Sequence, residues 1–206
     1  MEREARPGLR SVPLAAVNPP RVTERAQGLA RETLHPGDLA LDGTAGKGRD
    51  TACLAHAVGP TGHVHAFDLQ PAALEATRAL CAREGLLERV TLHLRSHAEL
   101  RAALPTGHLG RLGVALFNLG YLPGGDPRLI TQPDSTREAL RAAHAELRAG
   151  GRLICVAYTG HPGGETEAAV VRAFGRECEL AGDTVAMDTE ADDSGRPWIL
   201  CVTRPE

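Results

Sequence analysis

At 206 residues, with 42% hydrophobic content and 23 basic against 26 acidic side chains for a net charge of −3, the chain suits one compact domain with its own core. Those totals argue against a second full domain and against a generally basic nucleic-acid coat, while leaving room for a local positive patch beside a small structured RNA. Five scattered cysteines (Cys53, Cys81, Cys155, Cys178, Cys201) with no Cys-x-x-Cys pair give no support to a disulfide scaffold or zinc cluster. No apolar run approaches the roughly 20 residues of a membrane span, so a reduced, cytoplasmic protein is expected.

Residues 1 to 18 read as a loosely ordered tail, ahead of a single domain over residues 19 to 206. A helix over about residues 20 to 34 leads into the first strand, DLALD (38 to 42), and the second follows at HVHAFD (63 to 68). PAALEATRALCAREG is a helix with Pro71 in its first turn, Gly85 at its stop, and Leu74, Thr77 and Cys81 on one face. RVTLHL (89 to 94) and LGVALF (112 to 117) are the third and fourth strands. The next helix opens with Ser135 and Glu138 in capping-box spacing, turns Leu140, Ala143 and Leu147 inward, and stops at Gly150 and Gly151. RLICVAY (152 to 158), the helix GETEAAVVRAFGREC, and the strands DTVAMD (183 to 188) and WILCVT (198 to 203) complete the chain. This alternation predicts an α/β fold: a doubly wound, seven-stranded Rossmann-like sheet, mostly parallel, with an antiparallel last strand.

The turn after the first strand, LDGTAGKGRDT (41 to 51), carries Gly43, Gly46 and Gly48. Glycines there let the backbone approach a ligand and adopt positive φ, while the following helix presents free N–H groups. The spacing is G-x-x-G-x-G, not the dinucleotide G-x-G-x-x-G, and Asp42 stands just before it. An acid there would repel a pyrophosphate but tolerate the ammonium and sulfonium of S-adenosylmethionine. That cofactor is therefore expected, held by Asp42, Gly43, Thr44, Gly46, Gly48, Asp50 and Thr51. Asp68, 26 residues after Asp42 and followed by Leu69 and Gln70, is placed to accept both ribose hydroxyls, which would fit NAD as well. Ser96 and His97, after the third strand, either face the adenine or start a helix. His63, His65 and His93 read as ordinary sheet residues, and no metal is expected.

The fourth strand runs into FNLGYLPGGD, Phe117 to Asp126, at the sheet edge where ligands of such folds bind. Its Asn118-x-x-Tyr121 turn resembles the Asn-Pro-Pro-Tyr turn of amino-group methyltransferases. There the Asn oxygen and a backbone carbonyl accept hydrogen bonds from an –NH₂ while the aromatic ring packs on the substrate. Asn118 and Tyr121 are the expected catalytic pair, with Asn118 also touching the cofactor. The chemistry needs positioning more than acid or base. A plain Asn-initiated turn is the alternative.

LDGTAGKGRDT, AFDLQPAALEAT, RSH, FNLGYLPGGD, the Ser-Thr at 135 and 136, and YTGHPGGETE (158 to 167) come in an order similar to that of a small bacterial family labelled rRNA methylases. Members of that family act as tRNA 5-aminomethyl-2-thiouridine methyltransferases. The resemblance covers about residues 37 to 167. It implies S-adenosylmethionine-dependent methylation of the aminomethyl nitrogen on a wobble uridine, with the tRNA anticodon stem-loop as partner. Leu119, Gly120, Gly124, Gly125, Asp126, Arg128, Thr136 and His161 are then the expected substrate-side residues. Arg137 and Arg141 flank the loop as phosphate contacts or solvated charges. The family's Gly-Asn-Gly-His-Asp-Thr is replaced by Gly46, Lys47, Gly48, Arg49, Asp50 and Thr51, its His in the first helix has only Gln27 nearby, and its Asn-rich, Pro-Pro stretch is replaced by DTEADDSGRPW. These departures bear on substrate recognition. An rRNA or small-amine methyltransferase, a nicotinamide-dependent oxidoreductase and a non-catalytic RNA-binding module stay open, as does a homodimeric assembly.

Overall fold

Short runs of Leu, Val, Ile, Ala and Phe, each closed by a polar residue or a glycine, form the strands. The structure, a computed structural model, describes residues 21–120, 131–160, 163–188 and 196–206. The strands are β1 (Leu39–Asp42), β2 (His63–Asp68), β3 (Val90–Leu94), β4 (Leu112–Asn118), β5 (Leu147–Ala157), β6 (Thr184–Met187) and β7 (Trp198–Thr203). They make one seven-stranded sheet in the order β3-β2-β1-β4-β5-β7-β6, with β7 antiparallel to both its neighbours. The helices are α1 (Val22–Thr33), α2 (Arg49–Ala57), α3 (Pro71–Arg83), α4 (Leu100–Ala103), α5 (Pro133–Ala145) and α6 (Gly164–Leu180).

Consecutive residues of the central strands serve opposite cores. Ala115 and Phe117 of β4 pack with Leu140 of α5 and Phe174 of α6, whereas Val114 and Leu116 pack with Ala30 of α1 and Leu54 of α2. A sheet covered on both faces explains why these strands are continuously apolar rather than alternating. The strand order reverses between β1 and β4, which places the carboxyl ends of those two strands, Asp42 and Asn118, at the crevice where ligands of doubly wound folds sit.

The expected helix near residue 135 differs at both ends. Gln132 is the N-cap and Pro133 lies in the first turn, so Ser135 instead donates its hydroxyl to the Gln132 carbonyl at 3.0 Å. The helix ends at Ala145, and Leu147 begins β5 rather than closing the helix. The Gly150–Gly151 pair that reads as a helix stop lies inside that strand. Gly150 takes φ +66°, and a Cβ on Gly151 would sit 2.9 Å from the Leu112 carbonyl oxygen, so both glycines are needed where β5 irregularly joins β4.

The strand histidines are more than spacers. His65, 2% exposed, sits 3.1 Å from His93 through Nδ1 and 2.8 Å from His108 through Nε2. Burial and the flanking imidazoles push its pKa down to about 3, so its own ring is neutral. At the sheet's opposite edge from the crevice, His144 of α5 meets Asp183 at 2.8 Å beside Cys178, whose thiol is pushed up to about 12 by burial and by that carboxylate. No described helix is long and apolar enough to cross a membrane.

Candidate active site

Asp42 ends β1 fully buried. Its Oδ1 accepts the Thr44 N–H at 3.0 Å and its Oδ2 accepts the Thr51 hydroxyl at 2.6 Å, which folds the glycine turn back over the strand end. Burial, and then the nearby Asp50 carboxylate, raise its pKa to about 7, against the lowering effect of those two hydrogen bonds. Two glycines in the turn are sterically required. A Cβ on Gly43 would lie 2.1 Å from the Phe117 ring, and Gly48, the N-cap of α2 at φ +80°, would bring one 2.8 Å from the Thr77 Cα.

Five amides of the turn are spent within the protein. Gly43 N–H donates to Leu116 O at 2.8 Å, Ala45 to Phe67 O at 2.9 Å and Gly48 to Ala45 O at 2.8 Å. Thr44 donates to Asp42, and Gly46 donates to Asp68 Oδ2 at 2.9 Å. A pyrophosphate cradle needs free backbone N–H groups at this point, and these five are taken. This weighs against a dinucleotide independently of repulsion by Asp42, whose carboxyl does not line the cavity.

The crevice opens into a cavity of about 690 Å³, a volume suited to a nucleoside-sized ligand and part of a second one. Gly43, Thr44, Gly46, Asp50, Asp68, Leu69, Gln70, Ser96, His97, Asn118, Leu119 and Gly120 line it, so most of the expected site is brought together. Asp68 accepts the Gln70 N–H at 2.9 Å as well as that of Gly46, and each carboxylate oxygen has lone-pair capacity left for a hydroxyl. Ser96 caps a short 3-10 turn by accepting the Ala98 N–H at 3.2 Å. His97 Nδ1 lies 3.0 Å from the Gly43 carbonyl, which can only accept, so the ring carries its proton on Nδ1 and braces the glycine turn. Burial lowers its pKa.

Asp42, Gly48, Thr51 and Thr136 do not line the cavity. The first three organise the turn from behind. Thr136, fully buried, donates its hydroxyl to Glu167, while its neighbour Ser135 faces the cavity in its place. Glu167, itself 2% exposed, also accepts the Thr131 hydroxyl at 2.6 Å, and Thr131 Oγ1 accepts the Gly120 N–H at 2.9 Å. This knot ties the end of β4 to the start of α5. Arg137 pairs with Asp134 at 2.7 Å and Arg141 grips Glu177 at 2.9 Å, both as surface ion pairs. Tyr121, Gly124, Gly125, Asp126, Arg128 and His161 lie outside the described residues.

Asn118 is fixed at two points. Its backbone N–H donates to Thr44 Oγ1 at 2.7 Å, and its side-chain Nδ2 donates to Asp50 Oδ2 at 3.0 Å. The other Asp50 oxygen accepts Gln27 Nε2 at 2.7 Å. Thr23 and Gln27 of α1, Lys47, Arg49, Arg95 and Tyr158 line the cavity too, and of these Gln27, Lys47 and Arg49 stand where the sequence departs from the family's pattern. Burial raises the Tyr158 pKa, with Asp50 adding to it, so the phenol keeps its proton.

The family model described as "Putative rRNA methylase" matches residues 64–203. The chain belongs to this rRNA methylase family. A relative in Arabidopsis thaliana, the chloroplastic tRNA (mnm(5)s(2)U34)-methyltransferase, is 38% identical over 163 residues, which is 75% of this chain and 59% of that protein. The methylase thus spans less than two thirds of that relative's length. Among solved structures, an rRNA-methylase from Clostridium thermocellum superposes with a TM-score of 0.83 at 29% identity, over 91% of this chain and 99% of that one. A methyltransferase from Streptococcus mutans in complex with SAH superposes with a TM-score of 0.77 at 29% identity, over 90% and 99% of the two chains.

Proposed function

We propose that this methylase is an S-adenosylmethionine-dependent N-methyltransferase that acts on the aminomethyl group of 5-aminomethyl-2-thiouridine at the tRNA wobble position. The observation that carries the reading is the state of Asn118: its –NH₂ is committed to Asp50, so its Oδ1, which takes no donor among the described residues, is left as an acceptor beside the cavity. An acceptor there suits a substrate amine and does not suit a substrate carbonyl. The plant relative, named as a tRNA (mnm(5)s(2)U34)-methyltransferase, supports the nucleoside, and the SAH-bound Streptococcus mutans structure supports the cofactor, SAH being what remains after methyl transfer.

When bound, S-adenosylmethionine supplies a methyl group activated by a sulfonium. Gly43, Thr44 and Gly46 would line its site, Asp68 would accept its ribose hydroxyls, and Ser96 and His97 would flank its base. Asn118 Oδ1 accepts an N–H of the neutral amine and turns the nitrogen lone pair toward the methyl carbon. Tyr121 packs on the uracil ring, and Leu119 and Gly120 form the adjoining floor. Gly124, Gly125, Asp126, Arg128 and His161, outside the described residues, are assigned to the substrate by the family resemblance. Lys47, Arg49 and Arg95 provide the local positive rim that an anticodon stem-loop requires of an otherwise acidic chain. The substrate ammonium must first give up a proton, to water or to a weak base such as His161, and Tyr158, a phenol that keeps its own proton, does not take it.

The test is labelled-methyl transfer to two acceptors: tRNA from cells that stop at the aminomethyl nucleoside, and ribosomal subunits. Label in tRNA alone is expected. Label in ribosomal RNA alone would move the substrate to rRNA within the same fold.

A further inference from the structure

Asp50 reads from its sequence position as part of the cofactor turn, yet its carboxylate is used elsewhere. It lies in the first turn of α2, 8% exposed, where the helix N-terminus favours a negative charge. One oxygen accepts Gln27 Nε2 from α1 and the other accepts Asn118 Nδ2 from β4. Three elements, with partners 23 and 68 residues from Asp50, are thereby joined through a single carboxylate. We propose that Asp50, itself held by Gln27, is the positioning residue that sets the amide orientation of Asn118 for amine methylation, and is not a cofactor ligand.

An asparagine amide has two orientations related by a half turn, and they differ in whether oxygen or –NH₂ faces a ligand. Against an amine, the second orientation sets donor on donor and misdirects the lone pair. A carboxylate can only accept, so Asp50 binds the –NH₂ end of Asn118 and rejects the oxygen end. Thr44 fixes the backbone of the same residue through its hydroxyl, leaving little freedom beyond that amide rotation. Gln27 performs the matching task on Asp50: by taking Oδ1, it turns Oδ2 toward Asn118. Thr23, one helical turn earlier on α1, lines the same cavity, so α1 is a wall of the substrate site as well as a cover for the sheet.

This inference rests on the reading of the cavity as an amine-methylating site, and its test separates the two. The full-length protein carrying Asp50→Asn or Gln27→Ala is compared with the unaltered chain in cofactor affinity, in single-turnover transfer to aminomethyl tRNA, and in the side-chain amide resonances of Asn118 and Gln27. Those resonances are assigned by their loss in Asn118→Ala and Gln27→Ala. Asp50→Asn keeps the volume but turns one of its own –NH₂ donors on a neighbouring amide, so the transfer rate is expected to fall about 100-fold, as a misaligned reacting pair does. Gln27→Ala should cost about tenfold, because Asp50 keeps its place at the helix start and loses only its brace. Cofactor affinity stays unchanged, and the Asn118 amide signals move in Asp50→Asn. A wild-type transfer rate in Asp50→Asn, or unmoved Asn118 signals, overturns the proposal. If the unaltered protein fails on tRNA while the Asn118 signals still move in Asp50→Asn, the anchoring stands and the amine assignment falls.

Discussion

Asp42→Asn offers a quantitative check on how the turn is built. The native carboxyl, fully buried, has its pKa raised from the ordinary 3.8 to about 7, mostly by loss of hydration and then by Asp50. Between those two values the folded protein holds a proton that the unfolded chain has released, so this group makes the native state less stable as pH rises. The gap, at about 1.4 kcal/mol for each pH unit, comes to about 4 kcal/mol. Asparagine has no proton to lose, keeps an oxygen for the Thr44 N–H, and can donate to the Thr51 hydroxyl, which accepts as readily as it donates. Urea unfolding of both proteins should therefore show the advantage of Asp42→Asn over the native chain growing by about 4 kcal/mol from about pH 4 to about pH 8. His65 has the opposite sense, since its pKa is depressed to about 3 and its neutral, buried form loses stability as pH falls below the unfolded value of 6.5. It is present in both proteins and cancels in the difference. A difference that is flat, or that shrinks as pH rises, would refute the claim that the carboxyl is destabilised by burial.

Gly43→Ala places a methyl 2.1 Å from the Phe117 ring, and overpacking of this kind costs roughly 1–3 kcal/mol or more. A lowered melting temperature together with lost cofactor binding is expected, and native values for both would show that the ring yields freely. Glu167→Ala removes a buried acceptor of the Thr131 and Thr136 hydroxyls. A cost of about 3 kcal/mol, or roughly 6 to 12 °C in melting temperature for a domain of this size, is expected. An unchanged melting temperature would mean that those hydroxyls are satisfied elsewhere.

Strands were legible wherever a run of Leu, Val, Ile or Phe was too short for a helix and ended in Asp or Asn, as at β1, β2 and β4. The α5–β5 junction was not, because Leu147 suits the inward face of a helix and the start of a strand equally well. A glycine pair marks a helix stop or a strand irregularity with the same residues. Only the β4 contacts distinguish them. Thr136 was assigned to substrate by the family resemblance, whereas helical geometry turns it inward to Glu167 and leaves Ser135 facing the cavity. The glycine turn and Asn118 stood out because each is local in sequence. The Asp50 clamp did not, since Gln27, Asp50 and Asn118 come from three separate elements and no short-range spacing links them. Asp42 was expected to hold the cofactor, but it is buried behind the turn and binds Thr44 and Thr51 instead.

The central claim is that this methylase places a methyl group on the aminomethyl nitrogen of a tRNA wobble nucleoside. It is tested most directly by mass analysis of the nucleosides from aminomethyl-bearing tRNA after incubation with the protein and S-adenosylmethionine. The account predicts that 5-aminomethyl-2-thiouridine gains one methyl group with the unaltered protein and gains none with Asn118→Ala. An unchanged aminomethyl nucleoside with the unaltered, cofactor-loaded protein would contradict it.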